Sequence, residues 1–424
     1  MEEKPTLIFN DTSVHCALPY NITEKQWIFY YGFVWCVEGF GSVLTGCLGI
    51  FVNITTICVL LGSELAASFF NWLLVTLSVF ESLFLLCGIL EAFRSHIGST
   101  NPHNYLFVVF FYPFRSVVMC CSIYTTVMLA LERYNALANP TSHQVPLGLR
   151  RSPAGKTSLK VYFNLHWHRL LKYIGPITLF ATIFYIPKWL ELELDHHQVC
   201  SSSSDNTDGV TNDTSCGSSY GILVTDLRSN NHYTLWYLNV FNLIITAVIP
   251  LVMLTYLNLN IYLKFKKYIQ RQPLAMSTST TFADNSNHVQ QLVKKREKDM
   301  IQQTRILFSI VFLFSLFHIL RIILNIDEFA TLEKKKMAKG MGCEWLQYWT
   351  IIAAPVSHIL LQINSSVNFV IYGFFNKSFR QELVTWLTSF LNVFKMRTNS
   401  RSQAINMNFQ DTKMCTLSPT QNHQ

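Results

Sequence analysis

Seven separate stretches of this chain are each long and apolar enough to cross a lipid bilayer as a helix, and that property leaves few folds open. They run at roughly 33–61, 69–93, 104–135, 170–190, 234–264, 300–326 and 347–372. A hydrocarbon core about 30 Å thick needs about 20 apolar residues, at about 1.5 Å of rise each. Strand alternation is absent from these runs. In lipid only helices and closed barrels satisfy every backbone group, so the pattern predicts a bundle of seven helices. With 50% of its 424 residues hydrophobic and 14% charged, the chain is also more apolar than a soluble globular protein. The predicted class is an all-α membrane protein, a seven-transmembrane helix bundle at 33–372. A tail at 1–32 precedes it, and an amphipathic juxtamembrane helix at 373–394 and a polar tail at 395–424 follow.

The third run, Tyr105 to Tyr134, ends in Glu132-Arg133-Tyr134 and carries Arg115 inside it. A charge at that depth is costly and usually faces the bundle interior or a wet cavity. Arg115 and Arg133 stand eighteen positions apart, about five turns at about 3.6 residues each, so both point to one face with Ser122 near the same line.

Basic residues orient the bundle. Arg150, Arg151, Lys156, Lys160, Lys266, Lys267, Arg271, Lys294, Lys295, Arg296 and Lys298 fall in two connections, 136–169 and 265–299, while 191–233 is mostly acidic. By the positive-inside rule those two connections are cytoplasmic, the N-terminus lies outside and the C-terminus inside. Lys334, Lys335, Lys336 and Lys339 argue the other way. They are partly offset by Asp327, Glu328, Glu333 and Glu344. The net charge of +8 is read as positive surface facing anionic lipid, since no basic domain interleaved with aromatics points to nucleic acid. No apolar signal segment precedes the first run, which is expected to direct insertion itself.

On the predicted outer side, Asn10, Asn21 and Asn212 begin glycosylation triplets. Asn53-Ile-Thr55 also fits but lies inside the first run and is discounted. Of eleven cysteines, Cys16, Cys200, Cys216 and Cys343 fall in predicted outer segments. Four cysteines allow three pairings; Cys200 with Cys216 closes the shortest loop and leaves Cys16 with Cys343. No phosphate-binding glycine loop, metal-ligand cluster or nucleophile elbow is present, so no enzyme is expected.

Glu132-Arg133-Tyr134, at the end of a third span, resembles the motif that closes the third helix of rhodopsin-class G-protein-coupled receptors. Asn364-Ser-Ser-Val-Asn368-Phe-Val-Ile-Tyr372 on the last span adds a second likeness. Further stretches look like the invertebrate FMRFamide-type neuropeptide receptors: Leu170-Leu-Lys-Tyr-Ile-Gly-Pro-Ile with Ile186-Pro-Lys-Trp, Thr225-Asp-Leu-Arg228, and Asn242-Leu-Ile with Pro250 and Asn258. The resemblance covers roughly 30–390. It implies a plasma-membrane receptor for an amidated, FMRFamide-like peptide that acts on a heterotrimeric G protein, with arrestin and receptor kinases as further partners. Three positions depart from the class: Glu81 stands for the usual Asp, Arg321 for a kinking Pro, and Phe369 for the Pro of the last motif. The third helix also lacks the Cys that usually tethers the second outer loop.

By this resemblance Glu132, Arg133, Tyr134, Asn368 and Tyr372 serve G-protein activation, with Arg133 paired to Glu132 at rest; the plainer reading is an arginine snorkelling at a membrane edge. Glu81, Ser122, Asn364, Ser365 and Asn368 converge on an oxygen-rich candidate sodium site, or on a protonated Glu81 in a water network. Glu91, Tyr112, Arg115, His318, Arg321 and Gln362 line a ligand pocket, unless Glu91 and Arg115 form a structural pair that no ligand touches. Glu91, with Asp226, Asp327 and Glu328, offers acceptors for a guanidinium. Arg115 and Arg321 offer donors for an amide carbonyl. Left open beside the receptor reading is a seven-helix channel or transporter, or a receptor for a non-peptide ligand; the repeat symmetry of transporters is not seen.

Overall fold

Seven helices of membrane-spanning length and apolarity run through the computed structural model. It describes residues 23–62, 64–98, 101–138, 159–201, 215–277, 286–340 and 347–392. Asn10, Cys16, Asn21, Asn212 and Cys343 lie outside the described residues. The helices are α1 Glu24–Leu61, α2 Phe69–His96, α3 Asn101–Ala136, α4 Val161–Leu190, α5 Asn231–Lys264, α6 Thr304–Ala330 and α7 Tyr348–Phe375. Below Thr304 the α6 helix continues back to Ser286.

Hydroxyls inside these apolar helices bond their own backbone. Thr56 donates to the Val52 carbonyl at 2.9 Å, Thr125 to Cys121 at 2.6 Å and Ser366 to Gln362 at 2.9 Å. That removes the cost of a bare hydroxyl in lipid or in a packed core. Two prolines shape the helices. Pro113 and Pro250 each follow a widened, π-helical turn, Phe107–Phe111 and Ile244–Val248. A proline ring clashes with the carbonyl four residues back, and a wider turn relieves the clash. The α6 helix has no proline and no widened turn.

The first helix starts earlier than its apolar run, within the stretch read as a tail. Thr23 and Gln26 form a reciprocal cap, the Thr23 hydroxyl accepting from the Gln26 amide and the Gln26 side chain accepting from the Thr23 N–H at 2.9 Å. This capping box halts fraying ahead of the hydrophobic stretch. A second departure is a β-hairpin in the segment 191–233, expected to be a loop in an all-α chain. Strands β1 Leu192–Ser201 and β2 Ser215–Val224 pair antiparallel, with Cys200 opposite Cys216. In β1, part-buried Leu192 and Leu194 flank exposed Glu193, an alternation that turns one face of the ribbon to the bundle. The expected connection at 327–346 is partly helical as well: α6 runs to Ala330 and Leu332–Gly340 forms a further helix.

Buried apolar side chains tie the bundle together. One cluster joins Val59 and Leu60 of α1, Leu73, Leu74 and Leu77 of α2, Leu129 of α3, Ile306 and Ile310 of α6 and Tyr372 of α7. Others join α3 to α5 and α6, and α3 to α4. At Gly46 an added Cβ would stand 2.6 Å from Ile89 Cγ1, so α1 packs against α2 only because that residue is glycine. After α7 the chain turns at Asn376, whose side chain accepts from the Phe379 amide at 3.1 Å and caps helix α8, 377–392. Phe379 is fully buried among the α2 and α7 side chains, whereas Val384, Leu387, Phe390 and Leu391 are exposed. That apolar strip fits a helix lying on a bilayer surface.

Candidate functional site

Two polar compartments sit toward the hairpin end of the bundle, on either side of α3. The first is a cleft, partly open to solvent, between α1, α2, α3 and α7. Arg115 of α3 is ion-paired and hydrogen-bonded to Glu91 of α2, with their side chains 23% and 33% exposed. Across the cleft Glu38 of α1 meets His358 Nδ1 of α7 at 2.7 Å. Gln362 stitches α7 to α1, its amide donating to Ser42 Oγ at 3.2 Å and its oxygen accepting from Thr45 at 2.9 Å. Gly88 makes room for it, since a Cβ there would lie 2.9 Å from Gln362 Nε2. Glu91, Arg115 and Gln362, three of the six residues expected in one pocket, thus line this cleft together with Glu38, His96 and His358, which the sequence did not single out.

Tyr112, His318 and Arg321 lie elsewhere. The Tyr112 hydroxyl donates to Glu191, a fully buried carboxylate that the sequence reading missed. Glu191 Oε2 also accepts from Arg228 Nη1 at 2.8 Å and from Lys188 Nζ at 3.4 Å, and its Oε1 accepts from the Tyr233 hydroxyl at 2.8 Å. Four donors from α3, the end of α4 and the approach to α5 therefore close on one carboxylate. The signal was present, because Lys188 and Arg228 belong to the two receptor-like stretches Ile186-Pro-Lys-Trp and Thr225-Asp-Leu-Arg228. Nothing there marked Glu191 itself. His318 is buried against its own helix, Nδ1 at 2.9 Å from the Phe314 carbonyl and its ring stacked on Phe314 at 3.9 Å. Arg321 Nη1 reaches the Met119 sulfur of α3 at 3.3 Å. The acidic residues expected beside Glu91 are also elsewhere: Asp226 is exposed, and Glu328 pairs with Lys335 at 3.6 Å.

In mid-bundle, buried Asn368 donates its amide to buried Glu81. Asn53, the asparagine of the discounted triplet, is 1% exposed and donates to the Ser365 carbonyl at 2.9 Å. Among the described residues, Glu81 Oε2, Asn53 Oδ1 and the Tyr372 hydroxyl are buried without a hydrogen-bond partner. Two orphaned oxygen acceptors, one of them a carboxylate, suit a hard cation or ordered water. Ser122 and Asn364 are part-buried, and the Ser122 carbonyl accepts from Thr126 at 3.2 Å.

At the opposite end Glu132 is buried and accepts two hydrogen bonds from Arg169 of α4, at 3.0 and 2.9 Å. Arg169 is a partner the sequence did not point to. Its guanidinium lies over the Phe69 ring at 4.3 Å, and that of Arg133 lies over the next ring, Phe70, at 3.4 Å. Arg115 and Arg133 therefore both face α2, as their spacing predicted. Lys264 of α5 sits over the Tyr134 ring at 3.9 Å, and Tyr372 is buried with its ring 6.2 Å from that of Phe379.

No family model matches the chain. It is 24% identical over 370 residues, 85% of its length, to the "FMRFamide receptor" of Drosophila melanogaster. It is also 22% identical over 322 residues, 75% of its length, to the "FMRFamide peptide receptor frpr-18" of Caenorhabditis elegans. The matches cover 54% and 59% of those two proteins, so the chain spans little more than half the length of the curated relatives it matches.

Proposed function

We propose that this seven-helix membrane protein, similar over most of its length to FMRFamide-type receptors, is a G-protein-coupled receptor for an amidated peptide ending in Arg-Phe-amide. The observation that carries the reading is the pair between Glu91 of α2 and Arg115 of α3, open to a polar cleft, with Arg115 on the same helix whose other end presents Glu132-Arg133-Tyr134. An acceptor and a donor stand together there, which suits the guanidinium and the amide carbonyl of such a peptide. Glu38 adds a second carboxylate and Gln362 an amide.

The hairpin end faces outward and the Arg133 end inward in this reading, following the basic residues of the two inner connections. The protein then sits in the plasma membrane with its N-terminus outside. Ligand binding shifts α3 against α2 and releases Arg133 from Phe70 to meet the G protein, while arrestin and receptor kinases act on the same inner face. Such a protein is a receptor, not an enzyme. Glu81, Asn368 and Ser365, with Asn53, are the residues that would hold a sodium ion between the two ends. The test is a screen of amidated peptides on cells expressing the chain, read as calcium release. Peptides ending in Arg-Phe-amide should be active, and a cognate lipid or amine would end the reading.

A further inference from the structure

Two polar rungs join α1 to α7 along the cleft, and they differ in exposure. In one, Gln362 bonds Ser42 and Thr45, with Gln362 2% and Ser42 4% exposed. In the other, four residues earlier on each helix and so about one turn nearer the hairpin end, His358 Nδ1 stands 2.7 Å from Glu38 Oε1, with side chains 54% and 28% exposed. Glu38 lies in a widened, π-helical turn of α1, Trp35–Gly41, a distortion frequent at functional sites. A Cβ on Gly41 would stand 2.7 Å from Ile359 Cδ1, so glycine there lets α1 approach α7 beside the open rung. The other ionisable groups facing the pair are Glu91 and His96 of α2, Arg115 of α3 and Tyr30 of α1 itself; among the described residues α6 adds no charged side chain to the lining. A neutral imidazole gives a carboxylate one ordinary hydrogen bond. An imidazolium gives a charge-assisted one, roughly twice as strong, and here it would add positive charge to a cleft that already holds Arg115.

We propose that Glu38 accepts the cationic end of the ligand and that His358 competes for it, yielding the carboxylate when neutral and claiming it when protonated, so that acid weakens the ligand. The proposal rests on the peptide-receptor reading and adds the proton as a second ligand of the cleft. Histidine is the side chain whose charge ordinarily changes between about pH 5 and 8. Proton and peptide cation oppose each other at one carboxylate, and by reciprocity each weakens the binding of the other. The buried rung through Gln362 keeps α1 and α7 together in both states, so the exchange at Glu38 needs no separation of the helices.

The probe is Phe-Met-Arg-Phe-amide on cells expressing the full chain, with potency read as calcium release at external pH of about 8 and about 6. On the unmodified receptor potency should be about fivefold weaker at the lower pH, the low end of coupling between two ligands. The peptide's own amino group gains charge in acid, which alone would favour the two carboxylates of the cleft and so works against the expected direction. His358→Gln should remove the acid loss, whereas His96→Gln should keep it. Glu38→Gln should also remove it and should lower potency at the higher pH. Surface labelling identifies a variant that fails to fold, and Glu38→Gln supplies the reading if His358→Gln does not reach the surface. Potency that is equal or higher in acid on the unmodified receptor, or an acid loss that survives His358→Gln or vanishes in His96→Gln, overturns the proton-gated acceptor and leaves the receptor reading standing. Silence at both pH values brings down the receptor reading and this inference with it.

Discussion

The cleft and the Glu191 cluster are built from the same residue types and differ in how far their charges are closed off. Glu191 is fully buried and holds Tyr112, Lys188, Arg228 and Tyr233. Glu91 is bonded to Arg115 with a third of its side chain still open. A carboxylate closed by four donors has little capacity left for a ligand and fixes the elements that supply them. A half-open pair contributes little to stability, about 1 kcal/mol at most, and keeps lone pairs and N–H groups for something else. Burial of the pair, more than the presence of charge in a span, separates structural polar groups from functional ones here.

The sharpest way to break this contrast is Glu191→Gln. It leaves Lys188, only 13% exposed, without its carboxylate, and removing one partner of a buried ion pair costs about 3–5 kcal/mol. Surface labelling should show most of the receptor lost. Full expression would place Glu191 with Glu91 among the open charges. Next in size is the hairpin, where Cys200 lies opposite Cys216. If the two are bridged, as proposed here, the bridge stabilises by about 2–4 kcal/mol and Cys200→Ser should lower surface expression; peptide mapping without reductant would find the two in one linked fragment.

In the cleft the order of effects reverses. Glu91→Gln should leave expression close to normal while weakening peptides with Arg near the C-terminus by tens of fold, since a charge-assisted hydrogen bond is worth about 1.5–3 kcal/mol. The double swap Glu91→Arg with Arg115→Glu should stay defective, because each ligand group then meets a like charge. Recovery to normal potency would make the pair structural and erase the difference between the compartments. The smallest effect is expected at Glu81, where replacing external sodium with a bulky organic cation should shift peptide affinity about fivefold, the low end of coupling between sites, and Glu81→Gln should abolish that shift.

What the sequence disclosed follows from how each feature is encoded. Spans, the face shared by Arg115 and Arg133, and the amphipathic strip of α8 are periodic, and periodicity can be read along one chain. The Glu191 cluster joins Tyr112 to residues 76 to 116 positions away in the chain, since Lys188 and Arg228 reach it from separate elements. No local pattern announces such a meeting. Arg169 as the partner of Glu132 was hidden for the same reason, and so was Asn53, discounted as a buried triplet before its bond to Ser365 was in view. The Thr23 cap was legible as Thr-x-x-Gln yet was passed over because the apolar run begins later. Tyr112, His318 and Arg321 do not meet Glu91, because which side of α3 a partner helix packs on is set by the tertiary fold and not by position along a span.

The most direct measurement is peptide-evoked nucleotide exchange on a G protein in membranes carrying the unmodified chain or Arg133→Gln, with binding of a labelled Arg-Phe-amide peptide followed in parallel. The predicted result is exchange with the unmodified chain and none with the variant, while both bind the peptide with similar affinity, because Arg133 lies at the far end of α3 from the cleft. Equal exchange in the two, or an ion current that persists in cells lacking G-protein signalling, would contradict it.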